Sequence, residues 1–350
     1  MIDVFAIVED VARRRGVDLG RISVIELNRS GPAQTALALL VFQDGSGEPL
    51  AFIKASTDAA RAAALRREFD NLTRLAGGDG DFRRTIPEPL YCEELGSLTV
   101  LAESAGPGTR MKDYPPDAYF ASRRFRDTYT RCVRWLAQLD ETLSSDEPAA
   151  LHTDAARLEI ERYRRTHRVS PALAGLFTES IRAIEQAGSP GVPSHGDFCT
   201  ANVIVRSDGG LFVIDWEYPL GRTWPLADLL YFTSSTWCIP YRKGRDAVEQ
   251  NFRSLFFRPH GFSKLIHDAA ADYAESSGLS QELMLPLSVL CWTAFANRKR
   301  DELSGGDRRE TGHLPLILVR DEACINLEIL AEHRDSYLLR AAGGHRQAGP

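Results

Sequence analysis

Long apolar runs are missing from this 350-residue chain. No stretch approaches the roughly 18–20 residues of a membrane span. No secretory leader is expected either, since Asp3, Glu9 and Asp10 stand where a leader would be basic and then apolar. Val4, Ile7, Val8 and Val11 recur in the same segment at helical spacing, which predicts a short amphipathic helix and a cytoplasmic protein. Cysteine is sparse. Cys92, Cys132, Cys199, Cys238, Cys291 and Cys324 are scattered without a CxxC pair, which argues against a disulfide framework and a zinc site. Surplus positive charge is also absent: 48 acidic and 42 basic residues give a formal net charge of −6 and no electrostatic footprint for nucleic acid. The clusters Arg13–Arg15 and Arg298–Arg300 read as solvated helix faces. What is present, 43% hydrophobic and 26% charged residues, is globular composition, and the length suffices for two lobes with separate cores.

The lobes differ in character. Ile22–Leu27, Thr35–Phe42, Leu50–Ala55 and Leu98–Glu103 read as strands, with a hairpin turn at Asp44–Gly47. Between them Ala59–Ala76 is a predicted helix, striped by Leu65, Phe69, Leu72 and Leu75. Gly106-Pro107-Gly108 breaks the chain and is the expected linker. Beyond it, helices are predicted over 118–143, 153–187, 224–238, 245–257, 263–276, 280–303 and 316–334. This predicts an α+β protein with a small β-rich lobe at 1–105, a larger mainly helical lobe at 106–340 and a loose tail at 341–350.

One strand-rich island, Val192–Glu217, interrupts the helical half. Val203–Arg206 and Leu211–Ile214 flank Ser207-Asp208-Gly209-Gly210, a strong turn signal. A hairpin closing on those four residues pairs positions whose numbers sum to 417, which sets Asn202 opposite Asp215. Asp197 enters the same end from the preceding loop. Singly, each of these residues is an ordinary turn former. Their joint spacing instead gathers hard oxygen groups that suit Mg²⁺. Cys199 beside them has no partner base that would make it a nucleophile.

His195-Gly196-Asp197, Asn202 and Ile214-Asp215-Trp216-Glu217 together resemble the aminoglycoside phosphotransferase and choline kinase group of the protein-kinase-like fold. Pro225-Leu226-Ala227-Asp228-Leu229 is similar to that group's acidic helix start. The resemblance spans about residues 22–300. It implies a bilobal fold and an ATP- and Mg²⁺-dependent phosphotransferase acting on a hydroxyl group of a small molecule. By the same resemblance Asp197 is the catalytic base, Asn202 and Asp215 hold the metal, His195 supports the loop, and Asp228 caps the catalytic loop. The sequence departs from the group in Phe198-Cys199-Thr200-Ala201, where relatives often carry a His-Pro-Gly type of sequence, and at Asp140, where they often carry histidine.

Such an enzyme needs a strand lysine for the nucleotide phosphates and a helical glutamate to hold it. Lys54 shares a strand face with Leu50 and Phe52, and Glu68 lies inside the apolar stripe of the next helix. A buried carboxylate is costly unless paired, so a Lys54–Glu68 ion pair accounts for both positions. Gly31, the one glycine in Ser30–Gln34, falls where a phosphate-covering loop belongs. Glu103, Ser104 and Ala105 fall at the expected hinge, where backbone groups would meet the nucleobase.

The acceptor stays open between an aminoglycoside, a choline- or ethanolamine-like amino alcohol and a sugar. Residues 107–350 carry 32 acidic against 30 basic side chains, which lends a polycation no support. Glu217, Trp224 and Trp237 are candidate substrate contacts, since aromatic faces hold quaternary ammonium groups. Such aromatics at helical spacing are more often core, and Glu217 could instead pair with Arg222. The other class of function is a catalytically silent kinase-like binding module, which would lack one of the phosphate or metal groups.

Overall fold

Leu37, Leu39 and Val41 alternate along one strand, and Ala51, Ile53 and Ala55 along the next, all of them buried. That period of two fixes which face of a sheet turns inward. In the computed structural model of the protein, this face is covered by Ile7, Val8 and Val11 of the N-terminal helix α1 (Val4–Arg15). The structure describes residues 4–16, 18, 22–30, 36–45, 47–78, 80–114, 122–143, 153–188, 191–237, 245–258, 261–304 and 316–340. The loop with Gly31, Cys238 and the tail lie outside the described residues.

The sheet comprises β1 (Ile22–Ser30), β2 (Ala36–Gln43), β3 (Pro49–Ser56), β4 (Pro89–Leu95) and β5 (Leu98–Glu103). It is antiparallel throughout, in the order β1-β2-β3-β5-β4. The strand β4 has no counterpart in the sequence reading. It is an edge strand with two consecutive glutamates exposed at Glu93 and Glu94, so the alternation that marks a half-buried strand is weak there. Leu50 is a second departure. A register shift between β2 and β3 turns it toward the α1-covered cluster, leaving Phe52 and Lys54 on the opposite face. Helix α2 (Ala59–Leu75) starts where Asp58 accepts the Arg61 N–H at 2.9 Å.

By internal contacts the chain divides into two units, 1–115 with 195–220, and 116–194 with 221–350. This differs from the single cut expected at 105/106, because the strand-rich island belongs to the unit of the five-stranded sheet. The expected linker runs into β6 (Thr109–Arg110), which pairs with β8 (Val203–Val205), itself paired with β9 (Leu211–Val213). Gly106 lies so close to the Phe212 ring that a Cβ there would sit 2.3 Å from it. Thr85 receives the Val213 N–H at 2.7 Å, a second tie to the same ribbon.

The second unit is mainly helical, with a two-stranded ribbon of β7 (Val192–Pro193) and β10 (Arg222–Thr223). The helix expected over 153–187 is two helices, Thr153–Thr166 and Pro171–Ala187. Pro171 stands at the start of the second, and Ser170 caps it by accepting the Leu173 N–H at 3.2 Å. Among the described residues no helix is long and apolar enough to cross a membrane. Asp140 is buried in this unit and accepts hydrogen bonds from Tyr273 Oη (3.0 Å) and Ser277 Oγ (3.2 Å). Burial raises its carboxyl to about 7, against the pull of those two donors, with Asp228 and Glu141 adding to the rise. The folded state therefore holds a proton that the unfolded chain releases near pH 4, so stability falls as pH rises toward 7. Asp140→Asn keeps an acceptor for both hydroxyls and removes the titration. Its melting temperature will vary less than the wild type's between pH 5 and pH 8; an unchanged slope would refute this account.

Candidate active site

The β8–β9 turn decides the site's geometry. Val203 faces Val213, Ile204 faces Phe212 and Val205 faces Leu211, so paired numbers sum to 416. The expected sum of 417 is off by one. The Gly209 N–H bonds Arg206 O at 3.0 Å and the Arg206 N–H bonds Gly210 O at 2.9 Å. This makes a three-residue loop with Gly209 at φ 83°, one residue shorter than the four-residue turn assumed from the sequence. Asn202 consequently pairs with Ile214, whose N–H reaches Asn202 O at 3.0 Å, and Asp215 is the next residue. Asp215 has φ 71°, a left-handed backbone that few non-glycine residues adopt.

The loop entering this end is held by its own side chains. Asn202 Nδ2 donates to Asp197 O at 2.9 Å and to Asp197 Oδ2 at 3.0 Å. The amide is thereby oriented, and its carbonyl oxygen is the group it can offer to a ligand. His195 is fully buried, with Nε2 3.0 Å from Ile214 O and Nδ1 accepting the Asp197 N–H at 3.3 Å. Those two partners place the proton on Nε2 and make the ring a brace between the two halves of the loop. Burial, with the Asp197 charge adding to it, pushes the Cys199 thiol up to about 12. Cys199 is therefore not a thiolate near neutral pH.

Lys54 on β3 gathers three acids. Its Nζ lies 2.7 and 2.8 Å from the two oxygens of Glu68, 3.1 Å from Asp215 Oδ1 and 3.8 Å from Glu103 Oε1. Glu68 and Glu103 are each 1% exposed and Lys54 17%, so these charges act through a poorly screened medium. Burial opposes the ammonium, yet Glu68, Asp215 and Glu103 together raise Lys54 well above its ordinary value. It stays charged throughout the physiological range.

Helix α2 fixes the segment that follows Asp215, through residues the sequence reading did not single out. Glu68 Oε1 accepts the Trp216 N–H at 3.0 Å. Asn71 Nδ2 donates to the carbonyls of Trp216 and Tyr218, both at 2.7 Å, and Arg67 Nε to Glu217 O at 2.6 Å. Asn71 is 4% exposed. A buried amide three residues after Glu68, between Leu65 and Leu72 on the same stripe, was the available signal. Its partners are backbone carbonyls, which no side-chain pattern announces.

The remaining expected residues are placed as follows. Glu217 is half-buried and meets Arg67 through its backbone. Trp224 is buried at 5% exposure in the second unit. The Trp237 and Arg222 side chains lie outside the described residues. Asp228 stands in the first turn of the helix Ala227–Trp237. Ser104 ties the segment after β5 to Glu88, its N–H to Glu88 O at 2.9 Å and its Oγ accepting the Glu88 N–H at 2.8 Å. Strand alternation then turns the Glu103 backbone groups to the β3 side of β5, where Glu103 faces Phe52.

Lys54 stands against Glu68, Asp215 and Glu103, with Asp197 on the adjoining loop, and this surplus of acid suits a divalent cation. Among the described residues no three His, Cys, Asp or Glu side chains converge as a metal cluster. A bound ion would rest on Asp215, the Asn202 carbonyl and a ligand's own oxygens. A family model described as the phosphotransferase enzyme family matches residues 41–259. No curated protein matches the sequence significantly. Among solved structures, macrolide 2′-phosphotransferase MphH from Brachybacterium faecium is similar with a TM-score of 0.53 at 17% identity, over 93% of this chain and 98% of that one. Choline kinase LicA from Streptococcus pneumoniae gives 0.52 at 13% identity over 92% and 98%. Amicoumacin kinase hAmiN, in complex with AMP-PNP, Ca²⁺ and Ami, gives 0.51 at 11% identity over 96% and 95%. At these identities the likeness establishes the kinase-like fold.

Proposed function

This chain belongs to the phosphotransferase enzyme family, and we propose on that premise that it transfers the terminal phosphoryl group of Mg²⁺-bound ATP to a hydroxyl group of a small molecule. The observation that carries this reading is Lys54 Nζ within hydrogen-bond reach of Glu68 and Asp215 at once. A buried lysine held by a helical acid and aimed at a second acid is what a phosphate-binding cation requires.

Each residue's part follows from its position. Glu68 fixes Lys54, and Lys54 offers its charge to phosphate oxygens. Asp215 and the Asn202 carbonyl would hold Mg²⁺, which when bound neutralises phosphate charge and aligns the transferring group. Asp197, oriented through Asn202, accepts the proton of the acceptor hydroxyl as that oxygen attacks phosphorus. His195 keeps the Asp197 backbone in place. The Glu103 carbonyl and the Ala105 N–H would meet the nucleobase. The acceptor is an aminoglycoside, an amino alcohol or a sugar. Trp224 and Phe232 are buried and are spent on the core, which favours an acceptor held by polar groups over a quaternary ammonium caged by these two rings.

Thermal shift with ATP tests the reading without knowledge of the acceptor. A ligand at about 100 times its Kd stabilises the folded state by about 2.7 kcal/mol. ATP with Mg²⁺ will raise the melting temperature by several degrees and ATP with chelator by less. No metal-dependent shift at millimolar nucleotide would indicate a silent module. A coupled assay of ADP release over aminoglycosides, amino alcohols and sugars then identifies the acceptor class.

A further inference from the structure

Glu103 is not explained by the role given to its backbone. Its side chain ends β5 on the face of Lys54 and is 1% exposed, yet its Oε2 has no hydrogen-bond partner. Lys54 does not satisfy it. The ammonium has three N–H donors, and two Glu68 oxygens and Asp215 all lie closer than Glu103, whose 3.8 Å separation exceeds hydrogen-bond reach. A buried polar atom left without a partner destabilises a fold and calls for an explanation.

Its place in the sheet points to one. The β3–β5 ladder ends at the pair Phe52–Glu103. Beyond it Ser104 is committed to Glu88, so the chain turns its next polar groups away from β4. The orphan oxygen thus stands between the lysine that would meet phosphate and the backbone that would meet a base. Burial, reinforced by the Glu68 and Asp215 charges and opposed by Lys54, raises this carboxyl to about 8, so it carries its proton at neutral pH.

We propose that Glu103 reads the purine of the nucleotide, presenting as a carboxylic acid one O–H donor and one acceptor to the base edge. On the N7 edge adenine offers the complementary pair, an N7 acceptor beside an N6 amino donor, whereas guanine offers two acceptors there, N7 and O6, so the contact is assigned to that edge. One half of the contact is therefore lost with guanine. This assignment rests on the nucleotide-site reading of Lys54 and goes beyond it by making a side chain of β5 the determinant of base choice.

The test is equilibrium binding of ADP and GDP, each with Mg²⁺, to the full chain and to two variants. Glu103→Gln keeps one donor and one acceptor, and Glu103→Leu keeps approximate volume without either. Replacing a buried acid by an apolar group removes a desolvation cost, so the Leu variant is expected to fold. The wild type will bind ADP about 10-fold or more tighter than GDP, in line with the discrimination of a two-point base contact. The Gln variant will keep that ratio within about 3-fold, and the Leu variant will lose most of it through weaker ADP binding, with GDP affinity nearly unchanged. A Leu variant with the wild-type ratio, or a wild type that prefers GDP, would overturn the assignment and leave the nucleotide site standing. A wild type that binds neither nucleotide would overturn both.

Discussion

Asp197→Asn will lower kcat by about 10²–10⁴-fold, the span that a positioned general base contributes. The substitution preserves volume and leaves an oxygen to accept the Asn202 amide, which now meets Asp197 Oδ2 at 3.0 Å. What it removes is the capacity to take up a proton. The nucleotide should bind as before, because the substitution leaves the Lys54–Glu68 pair and the end of β5 unchanged. Steady-state kcat from coupled ADP release, set beside the nucleotide Kd from titration, separates the two quantities. Near-normal turnover would show that the acceptor hydroxyl needs no base from this loop. A parallel loss in nucleotide affinity would show instead that the loop had collapsed.

Lys54→Met is expected to damage both stability and binding. Without the ammonium, Glu68 is left buried with only the Trp216 N–H as a charge-compatible partner, and Asp215 loses its contact at 3.1 Å. Breaking a buried pair by removing one member costs about 3–5 kcal/mol, because the other charge stays uncompensated. Lys54→Met combined with Glu68→Gln removes that stranded charge, so the double variant should recover most of the lost stability and none of the nucleotide affinity. Denaturant melts and nucleotide titrations on the three proteins decide the matter. If the single variant melts like the wild type, the three acids are not organised by Lys54. If the double variant binds nucleotide, the lysine is a structural ion and phosphate is held elsewhere.

Much of this site was legible before any coordinates. Lys54 stands out because a charged residue sits in the alternation of a half-buried strand, and Glu68 because it interrupts an apolar helical stripe. Each oddity explains the other, and the structure joins them at 2.7 and 2.8 Å. Asp197, Asn202 and Asp215 were legible as a set, since a strong turn signal folds the segment back on itself, whereas His195 entered only through the family resemblance. Asn71 and Arg67 were not. They act on the carbonyls of Trp216, Glu217 and Tyr218, and every residue has a carbonyl. The strand β4 escaped notice because an edge strand with solvated glutamates lacks the pattern of a buried one.

The sequence by itself determined most of the strands and helices, the edge strand β4 excepted, and which polar residues had to find partners, because period and burial cost are local properties of the chain. Tertiary structure decided the register of the β8–β9 ribbon, since one residue fewer in a glycine turn shifts every pairing while leaving the strands unchanged. It also decided that α2 would lock the segment after Asp215 and that Glu103 would be buried without a partner. Both depend on which backbone and side-chain atoms meet across more than a hundred residues of chain or across a sheet, and that distance has no signature in local pattern.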